Sequence, residues 1–374
     1  MTEETLCALA LTRLSHFNLA ALNVLYRAVG SARDIVAHRD DIQRVVPEAS
    51  PRLVESLRGL DESLRRAEAE LRFCEARGIE ALTPECPRYP QRMKETADAP
   101  LVLFCQGAAN LNRQRIVSIV GTRHCTTYGQ DIIRRFMADL RALCPRMLVV
   151  SGLAYGVDIC AHRAALDNGL DTVAVLAHGL DDLYPRAHRE TAQQMLLRGG
   201  LLTEFWSGTN ADKVNFVRRN RIVAGISDAT ILVESAAKGG GLITTGIARE
   251  YGRDVFAFPG PVSAPYSEGC NNLIRDNGAG LISSASDFVK AMGWETDSHL
   301  AAAQSRGIER QMFPELSADE QRVVDALRQT NDLQINILAV KCGVPIGPLT
   351  ALLFQLEMKG VLKTMAGGMY HLFR

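Results

Sequence analysis

Apolar residues recur at three- and four-residue spacing from Thr5 to about Arg77, first Leu6, Leu9 and Leu14, then Leu19, Leu22, Leu25 and Val29, with breaks at Gly30 and Pro47. One apolar stripe per segment predicts a small bundle of amphipathic helices over residues 1–83. The next stretch, 84–107, is proline-rich and aperiodic, and it reads as a connector packed against the strand-rich region after it. Between about 115 and 282 the pattern changes. Short runs rich in Val and Ile (RIVSIV, MLVVS, TVAVLA, GLLTEF, ATILVE, DVFAFP and GLI) alternate with helical spacing. Strands apolar on both faces are what a parallel sheet covered by helices requires. The block 84–292 is therefore expected to be α/β, a Rossmann-like, doubly wound, mostly parallel sheet.

Residues 293–314 turn polar and rich in Ala, Ser and Gln, and they read as a linker. Beyond it, over 315–374, Ser317 with Glu320 three residues on has the form of a capping box. A helix to Arg328, a second from about Ile335 to Cys342, a turn at Gly343 and a third helix from about Pro348 to Lys359 come next. A hairpin around Gly367 and Gly368 completes the order expected of a winged helix.

A chain of 374 residues with 47% hydrophobic content is long enough for two or three folded domains. Lys plus Arg and Asp plus Glu both number 42, so any polyanion must be held by a local patch and not by net charge. Nine cysteines stand singly without a C-x-x-C pair or zinc-finger spacing, which reads as a reduced cytosolic thiol set with no metal site. Glu3 and Glu4 stand where a secretory signal would be basic, and no stretch approaches the ~18 apolar residues of a membrane span. A cytoplasmic protein without membrane contact is expected.

Four segments carry candidate chemistry. At 117–129, VSIVGTRHCTTYG runs from a strand into Gly121, Thr122 and Arg123 and then into a helical pattern. Glycine lets a phosphate approach the backbone, helix-start amides point at it, and Arg123 offers a guanidinium fork. The G-x-G-x-x-G fingerprint is absent, which disfavours a dinucleotide, and no cofactor is expected. At 149–162, VVSGLAYGVDICAH repeats the strand, turn and helix order with Ser151, Gly152 and Gly156. Asp158 and His162 share a helix face there, as an acid/base pair, as metal ligands or, the favoured reading, as supports of the turn. At 213–225, KVNFVRRNRIVAG interleaves Lys213, Arg218, Arg219 and Arg221 with Phe216 and Asn220, the mixture of cations and aromatic that suits a single strand. At 233–250, Gly239, Gly240 and Gly241 precede a helix and form another backbone nest at a strand end.

Taken together, these segments resemble the DprA/Smf family. The resemblance rests on Tyr89-Pro90, VGTR at 120–123, SGLAYGVDICAH at 151–162, FVRRNRIVAG at 216–225, the T-T-x-x-A-R-E run ending at Glu250, and FAFPG with the later SEGCNNLI. It implies a non-catalytic protein that binds and shields incoming single-stranded DNA, dimerises, and loads the RecA recombinase during natural transformation. It further implies that Arg123, with Gly121 and Thr122, and Lys213 with Phe216 grip the strand. Arg219, Asn220 and Arg221 then line or support the pocket, as do Ser151 and Gly152.

Gly239 to Gly241 departs from the Ser-Gly-Ser type of turn usual in that family, Cys270 replaces a common Ser or Thr, and residues 15–18 lack the glycines of a phosphate-holding hairpin. From Glu315 onward six Lys/Arg face six Asp/Glu. A neutral wing is a poor duplex binder, so protein contact is at least as good a role for it. Two rival readings stand beside the resemblance. One is a nucleoside-monophosphate phosphoribohydrolase-like enzyme using Glu234 or Glu250; the other is a scaffold holding a nucleotide as a structural ligand.

Overall fold

A computed structural model of the chain describes residues 2–14, 19–294, 316–359 and 361–372. The turn at 15–18 and nearly all of the linker read at 293–314 lie outside the described residues. The described chain forms two compact units, Met1–Ser283 and Ser284–Arg374.

The first unit opens with the helices the apolar spacing predicts: α1 (Glu3–Thr12), α2 (Leu19–Val29), α3 (Ala32–Ala37), α4 (Pro51–Arg58) and α5 (Asp61–Ala76). Thr2, Ser31 and Ser50 cap α1, α3 and α4 by accepting from amides three residues on. Leu9, Leu22, Ile35 and Leu57 meet in one core, which continues onto Phe104. That continuity has a local cause. Strands β1 (Ile79–Leu82) and β2 (Leu103–Gln106) form an antiparallel pair beside the bundle, with the short α6 (Gln91–Lys94) between them. The sequence pattern predicts an irregular connector where β2 lies. These strands are short, flank a proline-rich segment and sit at the sheet edge, so neither shows the long doubly apolar run of a central strand.

β3 (Ile116–Val120), β4 (Leu148–Ser151), β5 (Asp171–Val175), β6 (Gly200–Thr203), β7 (Ala229–Leu232), β8 (Asp254–Ala257) and β9 (Gly280–Leu281) fall on the predicted runs. The nine-stranded order is β1-β2-β6-β5-β4-β3-β7-β8-β9, with parallel pairing from β6 through β9 and antiparallel pairing of β2 with β6. The connecting helices are α7 (Thr127–Leu143), α8 (Val157–Asp167), α9 (Arg189–Arg198), α10 (Lys213–Gly225), α11 (Gly240–Glu250) and α12 (Glu268–Arg275). Strand periodicity divides the core between two faces. Val173 and Val175 pack with Ile222 and Val223 of α10 and with Ile226 just past its end, while Ala174 packs with Ile159 of α8 and Met195 of α9.

The chain runs from β3 outward to β6 and then returns through α10 to β7, on the other side of β3. The order therefore reverses between β3 and β7, and in open α/β sheets that reversal leaves a crevice at the carboxyl ends of the strands.

The second unit contains α13 (Ala285–Ala291) and the winged helix. α14 (Ala318–Gln329) begins with the predicted capping box, Ser317 and Glu320 each bonding the other's backbone N–H. α15 (Ile335–Cys342) and α16 (Ile346–Met358) come next, separated by a turn in which Gly343 takes the left-handed conformation (φ 63°). β10 (Leu333–Gln334), β11 (Leu362–Met365) and β12 (Met369–Leu372) form the wing in the order β10-β12-β11. Val323, Leu338, Leu353 and Leu356 fill its core.

Candidate nucleic-acid interface

At the reversal point the carboxyl rim of the sheet opens into a cleft of about 590 Å³. Gly121, Thr122 and Arg123 line it from β3, Gly152 and Asp158 from below, one face of α10 from the side, and Lys238 to Gly241 from the start of α11.

Gly121 cannot carry a side chain here. A Cβ would lie 2.6 Å from Val157 Cγ2 and 2.7 Å from the Glu234 carbonyl oxygen. Thr122 is spent on the turn itself: its N–H donates to Glu234 O (2.8 Å), its carbonyl accepts from Val157 N (3.0 Å), and its hydroxyl accepts from His124 N (3.1 Å). Arg123 is left exposed, with its guanidinium 4.8 Å from the ring centroid of Phe216. The sequence pattern offers the Phe216 ring as a platform for a base. In the folded protein Arg123 lies over that ring, which turns the guanidinium into the stacking surface.

The expected anion site at the start of α7 is already occupied by the protein. The Glu234 carboxylate accepts from Thr126 N (2.8 Å) and Thr126 Oγ1 (2.6 Å), and Glu234 is 3% exposed. α11 differs. Its N-cap is Gly239, no side chain caps it, and Gly240 has open space where a Cβ would be. Unsatisfied helix-start amides and the positive end of the helix dipole thus border the cleft beside Lys238.

α10 starts at Asp212, whose carboxylate accepts from Asn215 N (2.7 Å). Lys213, Phe216, Val217 and Asn220 lie at one-face spacing along it and all line the cleft. Arg219 lies at its floor, 3% exposed, donating to Gly152 O (2.7 Å) and Val175 O. A side chain at Gly152 would collide with that guanidinium. Burial pulls Arg219 down to about 10, the Asp158 carboxylate opposes this, and Arg123 adds to it. Asp158 is pushed up by its own burial, against the pull of Arg219 and of bonds from Gly152 N and Ala154 N. Arg219 and Asp158 therefore brace the β4 turn from beneath.

Two residues read as lining or supporting the pocket do not themselves line the cleft. Arg221 is one position past Asn220, about 100° further round α10 and outside the cleft lining, where it pairs with Glu204 (2.5 Å) and Asp98 (3.6 Å). Ser151 is the last residue of β4, fully buried, and its hydroxyl donates to Ile119 O (2.6 Å). Asp158 and His162 do not act as an acid/base pair. Thr172 Oγ1 donates to Val149 O (3.0 Å), so His162 Nδ1 must donate to Thr172 (2.7 Å), and burial holds His162 down to about 3. Among the described residues no cluster of three metal-ligating side chains occurs. Glu234 is consumed as a cap and Glu250 is exposed at the end of α11, outside the cleft, so nothing favours the phosphoribohydrolase reading. Lys238, Ile243 and Thr244 line the cleft and do not stand out in the sequence; their position in the same run as the three glycines is the available signal.

Residues 80–293 match the DNA recombination-mediator protein A family, and residues 311–368 match the DprA winged helix domain. The chain belongs to the DprA family. Protein Smf of Escherichia coli K12 is 31% identical over 347 residues, covering 91% of this chain and 90% of that protein. The X-ray structure of DNA processing protein A from Streptococcus pneumoniae superposes with a TM-score of 0.66 at 30% identity, covering 78% of this chain and 98% of that one. DNA processing protein A from Helicobacter pylori, described for its single-stranded DNA binding mode, superposes with a TM-score of 0.52 at 26% identity, covering 60% and 96%. The DprA family is one of DNA-processing proteins, and the mixed α/β sheet and winged helix found here are its architecture. Among the described residues no single helix is long and apolar enough to cross a membrane.

Proposed function

We propose that this DprA-family chain binds single-stranded DNA along the β3–β7 rim without catalysing a reaction. The carrying observation is convergence: Arg123, Lys213 and Lys238 border one cleft together with the uncapped start of α11. Cations and bare amides suit the repeating phosphates of a flexible strand, and the Arg123 guanidinium over Phe216 offers a surface on which any base can stack. On this reading Asn220 contacts the strand, Gly121 and Gly152 keep the cleft open, and Thr122 and Arg219 hold the turns in place.

Kinship supports the same reading, since a family relative from Helicobacter pylori is described as a single-stranded DNA binder. By family membership we extend the proposal. The chain shields incoming DNA as a cytoplasmic homodimer and loads RecA onto it during natural transformation. A helical domain over 1–83, the binding domain over 84–292, a linker over 293–314 and the winged helix over 315–374 divide the work. Fluorescence anisotropy with an unstructured oligonucleotide, set against a duplex of equal length, tests the core of the proposal. Tighter binding of the single strand supports it, and preference for the duplex overturns it.

A further inference from the structure

The aromatic that the sequence spacing offers to a base is already covered by cations. Two guanidiniums lie over the Phe216 ring, Arg123 at 4.8 Å and Arg219 at 5.7 Å from its centroid. A second aromatic, Tyr184, meets the same ring edge-on, with centroids 6.0 Å apart and planes at 64°. Tyr184 is not itself part of the cleft lining, and it leaves 46% of its surface open. It stands in the loop between β5 and α9, and β4 and β3 separate β5 from β7, the strand that leads to α11. The cleft therefore has an open aromatic at one flank and the uncapped helix start at the other.

The Tyr184 backbone is fixed. Tyr184 N donates to His178 Nε2 (3.1 Å), and the buried His178 donates through Nδ1 to Gly179 O (2.8 Å). A carbonyl can only accept, so the imidazole is the neutral tautomer whose Nε2 is an acceptor. Thr203 Oγ1, at the end of β6, donates to His178 O (2.9 Å) and ties the loop to the sheet. An open ring on a backbone held this way offers its face with little ordering left to do at binding.

We propose that Tyr184 is a stacking platform for an unpaired base, and that a single strand held at the Arg123 cleft leaves it over Tyr184, toward the β5–α9 loop. The inference rests on the single-strand reading given above. One base has the Arg123 guanidinium to lie on, and the next one out of the cleft meets the open face of Tyr184. Lys213, one turn before Phe216 on the same face of α10, supplies the cation for the phosphate between them. Every base has a π-face, so the platform takes any of the four. A paired base reaches the ring only by leaving its stack, which makes Tyr184 a device for sorting single strands from duplexes.

The test compares the full chain with its Tyr184→Ala and Tyr184→Phe variants by fluorescence anisotropy. The probes are an unstructured oligonucleotide and a strand of the same length whose sugars carry no bases. Tyr184→Ala should bind the oligonucleotide about tenfold more weakly, and Tyr184→Phe should bind it as the unaltered chain does. The base-free strand should not distinguish the three proteins, and the slope of affinity against log salt should stay the same, because the ring carries no charge. Equal affinity of Tyr184→Ala and the unaltered chain for the oligonucleotide overturns the platform. An equal loss on the base-free strand also overturns it, since Tyr184 would then be a support for Phe216 and not a contact. Either result, in a chain that binds single strands tightly, leaves the proposed function standing; an unaltered chain that binds no oligonucleotide overturns that function and the platform with it.

Discussion

Two neighbouring turns at the sheet rim have the same local plan and opposite electrostatic outcomes. After β3 the chain passes Gly121 and enters α7, whose first turn is satisfied by the Glu234 carboxylate through Thr126. After β7 it passes Gly239 to Gly241 and enters α11 with no side-chain cap. The carboxylate that fills the first site belongs to the turn that leaves the second open, since Glu234 stands just past the end of β7. A glycine at a strand end therefore makes an anion site only where the protein has not already supplied the anion. Cations gather at the open turn: Lys238, Lys213 and Arg123 border the cleft.

The largest expected effect comes from the brace beneath both turns. Arg219→Ala leaves two carbonyls without their donor and Asp158 buried without its cation, which should cost about 3–5 kcal/mol of unfolding free energy in a urea titration. A loss below ~1 kcal/mol would mean the guanidinium faces the cleft and not the core. Next in size, Glu234→Ala empties the α7 site and strands the Thr126 amide and hydroxyl, at about 2 kcal/mol. Oligonucleotide affinity should not fall with it, because that carboxylate repels a polyanion. Smaller still, Gly240→Asp gives α11 the anion that α7 already has. The position has room for a side chain, so stability should hold or rise by about 0.5 kcal/mol while single-strand affinity drops about tenfold. Equal losses of affinity in Glu234→Ala and Gly240→Asp would erase the distinction between the turns.

Periodicity carried the fold where it was local. The strands β3 to β8 were legible because burial on both faces demands unbroken apolar runs, and the winged helix because Ser317 and Glu320 cap each other within one turn. β1 and β2 were hidden: Ile79–Leu82 buries only its two end residues and adjoins a helical region, and Leu103–Gln106 comes after a proline-rich stretch. In the cleft, Gly121, Thr122, Arg123, Gly152, Lys213, Phe216, Arg219 and Asn220 come together as their spacing suggests. The Arg221 and Ser151 side chains do not line it, because one residue turns a side chain by about 100° on a helix and to the other face on a strand. The Glu234 cap on α7 joins segments distant in sequence, so no window of residues could show it.

Arg123 and Lys213 offer the most direct test that the open turn grips a phosphate backbone. The affinity of an unstructured single strand measured against log salt should fall steeply for the unaltered chain. Arg123→Ala and Lys213→Ala should each weaken binding and flatten the slope by about one unit. Unchanged slopes and affinities in both variants, with the fold intact, would contradict a single-strand site at the β3–β7 rim.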